Sequence, residues 1–199
     1  MKHKILIACE FSGRIREAFI KKGFHNTYSC DLINTDIQSK NHITGDVLKI
    51  LKNNWDMVIS HPPCQYLSYA GANNWKNLKN GEQQKALDFF FEFINCNAEF
   101  ICVENPKSLV CRYIKPSQWV SPHEFGDIYS KKTGLWLKNI PTLIKTTPQA
   151  KPLKVFDNYY VKGKSNGHKR SITSQFIAEA MAEQWGNFLQ GKKTQLQLF

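Results

Sequence analysis

The sequence predicts an α/β fold in which a mostly parallel sheet is flanked by helices. Short apolar runs typical of buried strands alternate with amphipathic stretches typical of helices through the front half of the chain. Polar residues follow directly after several of these apolar runs. Because ligands bind beyond the carboxyl ends of parallel strands, functional residues are expected at these positions.

The individual elements follow from the same patterns. Apolar runs predict strands at 4–9, 26–30, 55–60 and 100–103. Helical periodicity predicts helices at 12–22 and 83–97, a short one at 46–53, and an amphipathic final helix at 171–188. A chain of 199 residues is long enough for one buried core and too short for two ordinary domains, so 1–199 is expected to be a single domain.

Two segments depart from this pattern. Residues 107–168 are rich in proline, lysine and aromatic side chains, which predicts irregular loops and short strands in a reduced recognition or insert region. Residues 190–199 are polar and are expected to form a flexible tail.

Composition narrows the class of protein. The net charge of +11 favours a polyanionic partner, of which nucleic acid is the commonest. No run of 18 apolar residues occurs, so no membrane span is expected. The six cysteines are scattered without a C-x-x-C pair, which predicts reduced thiols in a cytoplasmic protein and no metal site.

The strongest chemical motif is His61-Pro62-Pro63-Cys64-Gln65, directly after the run WDMVIS. Two prolines fix the backbone and would present Cys64 from a stiff loop at the carboxyl edge of the sheet, where a thiol is well placed as a nucleophile. The alternative is a proline turn with an incidental cysteine.

A second motif, Val103-Glu104-Asn105-Pro106, follows the apolar run FICV. Burial at a strand end is expected to raise the pKa of Glu104 and keep a proton available near neutral pH. The alternative is an exposed loop acid.

Together, the two motifs suit one particular reaction. A thiolate that adds to carbon 6 of cytosine, with an acid that protonates nitrogen 3, makes carbon 5 able to attack a methyl donor.

With these residues the chain resembles the DNA cytosine-5 methyltransferases. Residues 62–71, PPCQYLSYAG, are similar to the catalytic loop of that family, and VENP resembles its Glu-Asn-Val motif, with Pro106 as a departure. The resemblance implies a Rossmann-like class I fold, S-adenosylmethionine as cofactor and DNA as substrate. It implies Cys64 as the attacking thiol, Glu104 as its acid partner, and substrate contacts from Gln65, Ser68 and Asn105.

The resemblance extends to the cofactor motifs, in the order of the family. Residues 8–19 are similar to the first motif, although Ile15 and Arg16 stand where further glycines are usual. The cofactor contacts that the resemblance implies are Phe11, Ser12, Gly13, Asp31, Leu32, Asp46, Val47, Pro62, Ser171 and Thr173. Taken singly, Asp31 and Asp46 would be interpreted as surface turn acids.

The resemblance is weakest in the middle of the chain. The family's Gln-x-Arg-x-Arg motif is not present, and Phe125-Gly126 followed by Lys131 and Lys132 is the nearest equivalent, with the lysines as candidates for gripping phosphate. A short recognition region suits a short target sequence, little sequence preference, or single strands. The aromatics of this region are candidates for stacking on bases or for core packing: Trp119, Trp136, Tyr159 and Tyr160.

The C-terminal residues carry a separate motif, Gln195-Leu196-Gln197-Leu198-Phe199. It resembles the peptide by which bacterial replication and repair proteins bind the sliding clamp, so Gln195, Leu196, Leu198 and Phe199 are expected to bind that partner. The resemblance implies work near replicating DNA in a bacterial or phage-infected cytoplasm. The alternative is a chance amphipathic tail.

Three other functions compete with DNA cytosine-5 methylation. The short recognition region also suits a cytosine-5 methyltransferase that acts on RNA or free nucleotides. Amino-group methyltransferases also carry Pro-Pro, but they need Asn or Asp before it and an aromatic after it, where this chain has His61 and Cys64. A catalytically silent protein of the same fold that binds DNA and the clamp is the third.

Overall fold

The computed structural model describes residues 2–78, 81–155 and 171–192. Its strands are Ile5–Ala8 (β1), Thr27–Asp31 (β2), His42–Thr44 (β3), Met57–Ser60 (β4), Phe100–Pro106 (β5), Gln118–Val120 (β6), Tyr129–Ser130 (β7), Thr133–Lys138 (β8) and Lys154–Val155 (β9). Its α-helices are Arg14–Lys21 (α1), Val47–Leu51 (α2), Glu82–Ile94 (α3) and Gln175–Leu189 (α4).

Seven strands form the main sheet in the order β3-β2-β1-β4-β5-β8-β6. The first five are parallel, β8 runs antiparallel to β5, and β6 runs antiparallel to β8. Chain order reverses between β1 and β4, which makes this the switch point where ligands bind in doubly wound sheets. The predicted fold class, a mostly parallel Rossmann-like sheet flanked by helices, is confirmed.

Strands β1 and β4 are buried on both faces, which explains their continuous apolar sequences. Ile5 and Ile7 pack with residues of α1 and α4 on one face. Leu6 and Ala8 pack with residues of α3 on the other face. Because side chains alternate along a strand, polar residues just beyond the strand ends continue the same two faces.

Helix α1 begins where Gly13 adopts a left-handed φ of 75°. A Cβ on Gly13 would lie 2.6 Å from Nη2 of Arg16, so both backbone angle and space require glycine. Arg16 itself is fully buried and donates to Oγ of Ser29 at 2.6 Å and to the carbonyl of Ile37 at 2.6 Å. Arg16 therefore fastens the β2–β3 loop to α1.

Part of the range 107–168 belongs to the main sheet, since β6 and β8 lie within it. Trp136 of β8 is 2% exposed and donates to the carbonyl of Ile114, so it is a core residue rather than a stacking surface. A Cβ on Gly134 would lie 3.0 Å from Cβ of Pro116 and 3.1 Å from the Trp136 ring, so this strand needs glycine for close packing.

Several predictions fall outside the described residues. These are the stacking candidates Tyr159 and Tyr160 and the clamp-binding residues Gln195, Leu196, Leu198 and Phe199. The final helix begins at Gln175, four positions after the start that periodicity predicts. Within 2–78, 81–155 and 171–192, every helix is too short or too polar to cross a bilayer.

Candidate active site

The loop after β4 lies beside the end of β5. Ser60 of β4 pairs with Val103 of β5, so the next residue in register, His61, lies beside Glu104. Nδ1 of His61 donates a hydrogen bond of 2.8 Å to Oε2 of Glu104. The His61 backbone N–H donates to the carbonyl of Ala8 at 3.0 Å, which holds the loop against β1 as well.

The Cys64 loop is fastened to β5 by a second side chain. Nδ2 of Asn105, which is 1% exposed, donates to the carbonyl of Pro62 at 3.0 Å. Two residues further on, the carbonyl of Cys64 accepts from the backbone N–H of Leu67 at 3.0 Å and of Ser68 at 2.8 Å. The two motifs are therefore adjacent, and the amide nitrogen of Asn105, a residue to which the resemblance assigns a substrate contact, is bonded to the loop.

Exposure differs along this loop. Cys64 is half-buried, Gln65 is exposed and Pro62 is buried. Ser68 is 8% exposed and its hydroxyl accepts from the N–H of Ala70, which starts the 3-10 helix Tyr69–Asn77. Ser68 thus has a structural role in the described chain, while Gln65 is accessible to a ligand.

The ionisation of Glu104 corrects the expectation from sequence. Burial raises the pKa of its carboxyl, but the hydrogen bond and charge of His61, the charge of Lys131 and a hydrogen bond from Thr133 together lower the pKa to about 2. The side chain is 21% exposed. Glu104 is therefore a carboxylate near neutral pH. The prediction that a raised pKa keeps a proton on its carboxyl near neutral pH is wrong.

Glu104 lines a small cavity on the α4 face of the sheet. Its lining also includes Lys131, Thr133 and, from the segment before α4, Thr173. Arg14 of α1 donates through Nη1 to the carbonyl of Thr173 at 2.8 Å, which holds that segment near the switch point. Cys64 is not one of the residues that line this cavity, so the structure leaves open whether the thiol and the carboxyl face one substrate.

Other cysteines near the switch point have different chemistry. Burial raises the pKa of the Cys9 and Cys102 thiols well above its ordinary value. Burial, with the charges of Asp31 and Asp46, raises the pKa of Cys30 to about 11. These three residues are therefore thiols near neutral pH and poor nucleophiles.

Beyond β1, Glu10 is the feature that the sequence interpretation missed. It is 4% exposed, and its Oε1 accepts from the hydroxyl of Ser12 and from the backbone N–H of Arg14. Its Oε2 is buried and has no hydrogen-bond partner among the described residues. A buried carboxylate oxygen without a partner is costly, so it indicates a ligand with a donor group. The sequence signal that could have identified Glu10 is its position within residues 8–19, the segment similar to the first cofactor motif.

The predicted adenosine contacts lie at the ends of β2 and β3. Leu32 is 75% exposed, and Asp31 accepts from the N–H of Ile33 at 3.3 Å. Asp46 caps α2 by accepting from the N–H of Leu48 at 3.0 Å. The charges of Asp31 and Asp46 both act on Cys9, so these carboxylates gather at the end of β1.

The remaining predicted cofactor residues are more enclosed. Phe11 is 7% exposed, and its carbonyl accepts from the N–H of Asp36, so the β2–β3 loop lies against it. Val47 is 5% exposed and belongs to the core. Ser12 is 3% exposed, whereas Ser171 is exposed and Thr173 is half-buried.

These residues fit S-adenosylmethionine. The unpartnered oxygen of Glu10 suits the ammonium of the methionine end. The exposed apolar Leu32 suits an adenine face, and Asp31 suits ribose hydroxyls. These three side chains therefore offer one contact to each of the three parts of the molecule.

The sheet order and its antiparallel β8 define a doubly wound, Rossmann-like α/β fold. No family model matches the chain, and no curated protein sequence matches it either. Among solved structures, the S. pombe Dnmt2 methyltransferase matches at 16% identity with a TM-score of 0.49. The match covers 83% of this chain and 58% of that one, so the chain spans less than two thirds of that structure.

Proposed function

We propose that the chain transfers a methyl group from S-adenosylmethionine to carbon 5 of cytosine in DNA through a covalent adduct of Cys64. The observation that carries the proposal is the fastening of the Cys64 loop to the end of β5. His61 bonds Glu104 and Asn105 bonds Pro62, so the two motifs are adjacent at the switch point. A lone cysteine in a proline turn would not need these ties.

In the first step the Cys64 thiol loses its proton to solvent and Sγ forms a bond to carbon 6 of cytosine. Electron density moves towards nitrogen 3, which takes up a proton. Because Glu104 is ionised, we assign this proton to the pair, with His61 supplying it across the 2.8 Å hydrogen bond and Glu104 delivering it. Glu104 also accepts a hydrogen bond from the exocyclic amino group in this arrangement.

S-adenosylmethionine, when bound, supplies an electrophilic methyl group for carbon 5. Glu10 would orient it through its ammonium, and Leu32 and Asp31 would hold its adenosine part. After transfer, a base removes the proton on carbon 5, the bond between carbon 6 and Sγ breaks, and the nitrogen 3 proton returns through Glu104 to His61. Water is the base in this scheme.

A nucleic-acid strand is preferred over a free nucleotide on two grounds, and DNA is chosen over RNA because Gln195-Leu196-Gln197-Leu198-Phe199 resembles a sliding-clamp peptide. The net charge of +11 favours a polyanion over a free nucleotide. Lys131 lies in the Glu104 cavity, and Lys132 follows it on the exposed side. Phosphate contacts of this kind position a strand without specifying its sequence.

The test is transfer of labelled methyl groups to DNA, RNA and deoxycytidine monophosphate, followed by identification of the methylated nucleoside. The proposal predicts 5-methylcytosine in DNA, with transfer abolished in Cys64→Ala. Cys96→Ala is the matched control, since Cys96 is also half-buried but lies after α3, away from the carboxyl edge. Transfer only to RNA or to the nucleotide would overturn the choice of substrate, and a methylated amino group would overturn the reaction.

A further inference from the structure

A second cleft lies next to the Glu104 cavity. Its volume is about 310 Å³, against about 20 Å³ for the Glu104 cavity. Its lining residues are Trp119, Val120, Ser121, His123, Glu124, Ser130, Lys132 and Lys145. None of the proposed catalytic groups belongs to it.

The two spaces are neighbours. Val120 lines both of them. Along the chain, Lys131 lines the Glu104 cavity while Ser130 and Lys132 line the cleft. Alternating side chains of an extended segment point in opposite directions, so this segment forms the wall between them. The backbone N–H of Lys131 donates to Oγ of Ser121 at 3.0 Å, which fixes the wall in place.

The chemistry of the cleft is that of a nucleotide site. Trp119 offers a half-buried indole, with Nζ of Lys132 lying 5.4 Å from the ring centroid. Aromatic side chains beside cations are the usual platform for single-stranded bases and their phosphates. A cleft of this size is at the lower end of the range for small-ligand sites, which suits one nucleotide.

The acidic group of the cleft is already satisfied by the protein. Oε1 of Glu124 accepts from Nζ of Lys145 at 2.6 Å, and Oε2 accepts from the N–H of Ser121 at 2.7 Å. Lys132 therefore remains as the cation that faces an incoming phosphate. Nδ1 of His123 is buried and lacks a hydrogen-bond partner within the described ranges. That orphaned atom fits the edge of a base.

We infer that this cleft binds the nucleotide next to the target cytosine in the substrate strand, with its base on Trp119 and its phosphate on Lys132. The inference rests on the proposed function, because it places the bound nucleotide beside a cytosine on which Cys64 and Glu104 act. It also explains how a chain with a short recognition region holds DNA: one flanking nucleotide is gripped by the same wall that carries Lys131.

The experiment measures binding of fluorescent short cytosine-containing oligonucleotides by anisotropy. Trp119→Ala is expected to weaken binding roughly 5- to 150-fold, the range for loss of one stacked base. Trp119→Phe, which keeps an aromatic face, should restore most of the affinity. Lys132→Gln should lower the salt dependence of binding by about one phosphate contact. Lys138→Gln is the matched control, since Lys138 is exposed at the opposite end of β8.

A scan with abasic sites on either side of the cytosine identifies the bound base. Removing that base should weaken binding to the unsubstituted protein as much as Trp119→Ala does, and should weaken binding to Trp119→Ala little further. The inference is wrong if the abasic site and Trp119→Ala reduce oligonucleotide affinity independently at both flanking positions. It is also wrong if Trp119→Ala and Lys132→Gln bind the oligonucleotide normally.

Adduct formation with oligonucleotides that contain 5-fluorocytosine distinguishes a failure of the cleft inference from a failure of the proposed function. Trp119→Ala should still form the adduct at saturating oligonucleotide if the cleft only grips the flank. If Trp119→Ala binds oligonucleotides normally and forms the adduct, the inference that the cleft binds a nucleotide is wrong, and the proposed function is unaffected. An unsubstituted protein that binds oligonucleotides but forms no adduct would overturn the proposed function.

Discussion

At the carboxyl edge of the sheet, the polar groups beside β4 and β5 differ from those beside β1 and β2 in how fully other protein groups satisfy them. Beside β4 and β5, Glu104 is held by His61, Lys131 and Thr133, and Asn105 holds the Cys64 loop. Beside β1 and β2, Glu10 keeps one buried oxygen without a partner in the described chain, and Leu32 is 75% exposed. The β4–β5 side, which we propose to be catalytic, is preorganised, whereas the β1–β2 side, which we propose to bind the methyl donor, keeps a buried polar atom for a ligand to complete.

The largest effect that separates the two sides is expected from Glu104→Gln. The amide cannot deliver a proton to nitrogen 3, so methyl transfer should fall by roughly 10²- to 10⁴-fold, the usual contribution of acid–base groups. Binding of S-adenosylmethionine, measured by calorimetry, should stay within about threefold of the unsubstituted protein, a change well under 1 kcal/mol. A comparable loss of cofactor affinity would mean that Glu104 belongs to the donor side.

The next effect probes the donor side through Glu10→Gln. A charge-assisted hydrogen bond contributes about 1.5–3 kcal/mol, so affinity for S-adenosylhomocysteine should fall roughly 10- to 100-fold. Affinity for 5′-methylthioadenosine, which lacks the ammonium and carboxylate, should be nearly unchanged. Equal losses for the two ligands in calorimetry would show that Glu10 only supports the fold.

The first strands and helices were predictable because local pattern and burial agree. The apolar sequences of β1 and β4 lie in a sheet buried on both faces. The Cys64 motif follows the end of β4, whereas Glu104 lies within β5, which continues three residues beyond the predicted end at 103. Strand β3 was missed because His42–Thr44 is three residues long and has no apolar run. Its residues pair with β2 through backbone groups, and this pairing leaves no pattern of side chains in the sequence.

The candidate site could be proposed from sequence motifs, but its electrostatics could not. Cys64 and Glu104 could be named from motifs, but the direction of the Glu104 pKa shift depends on His61 and Lys131, which are distant in sequence. The register of β4 and β5 alone brings His61 to Glu104. The burial of Arg16 is a similar case, since a charged residue is seldom expected inside a core.

The smallest expected effect concerns stability in acid. The folded-state pKa of Glu104, about 2, lies below its ordinary value of 4.5, so its stabilising contribution is complete above pH 4.5 and is lost as pH falls to about 2. The whole shift corresponds to about 3 kcal/mol, of which His61→Gln removes only a part. In His61→Gln the pKa should rise, so the free energy of unfolding should depend less on pH over this interval. Equal pH dependence in urea titrations of the two proteins would contradict the assignment.

The most direct measurement is mass spectrometry of the protein after reaction with S-adenosylmethionine and DNA containing 5-fluorocytosine. The fluorine blocks removal of the group on carbon 5, so the account predicts a stable protein–DNA adduct that maps to the peptide containing Cys64. Absence of an adduct under conditions where cofactor and DNA both bind, or an adduct at another cysteine, would contradict it.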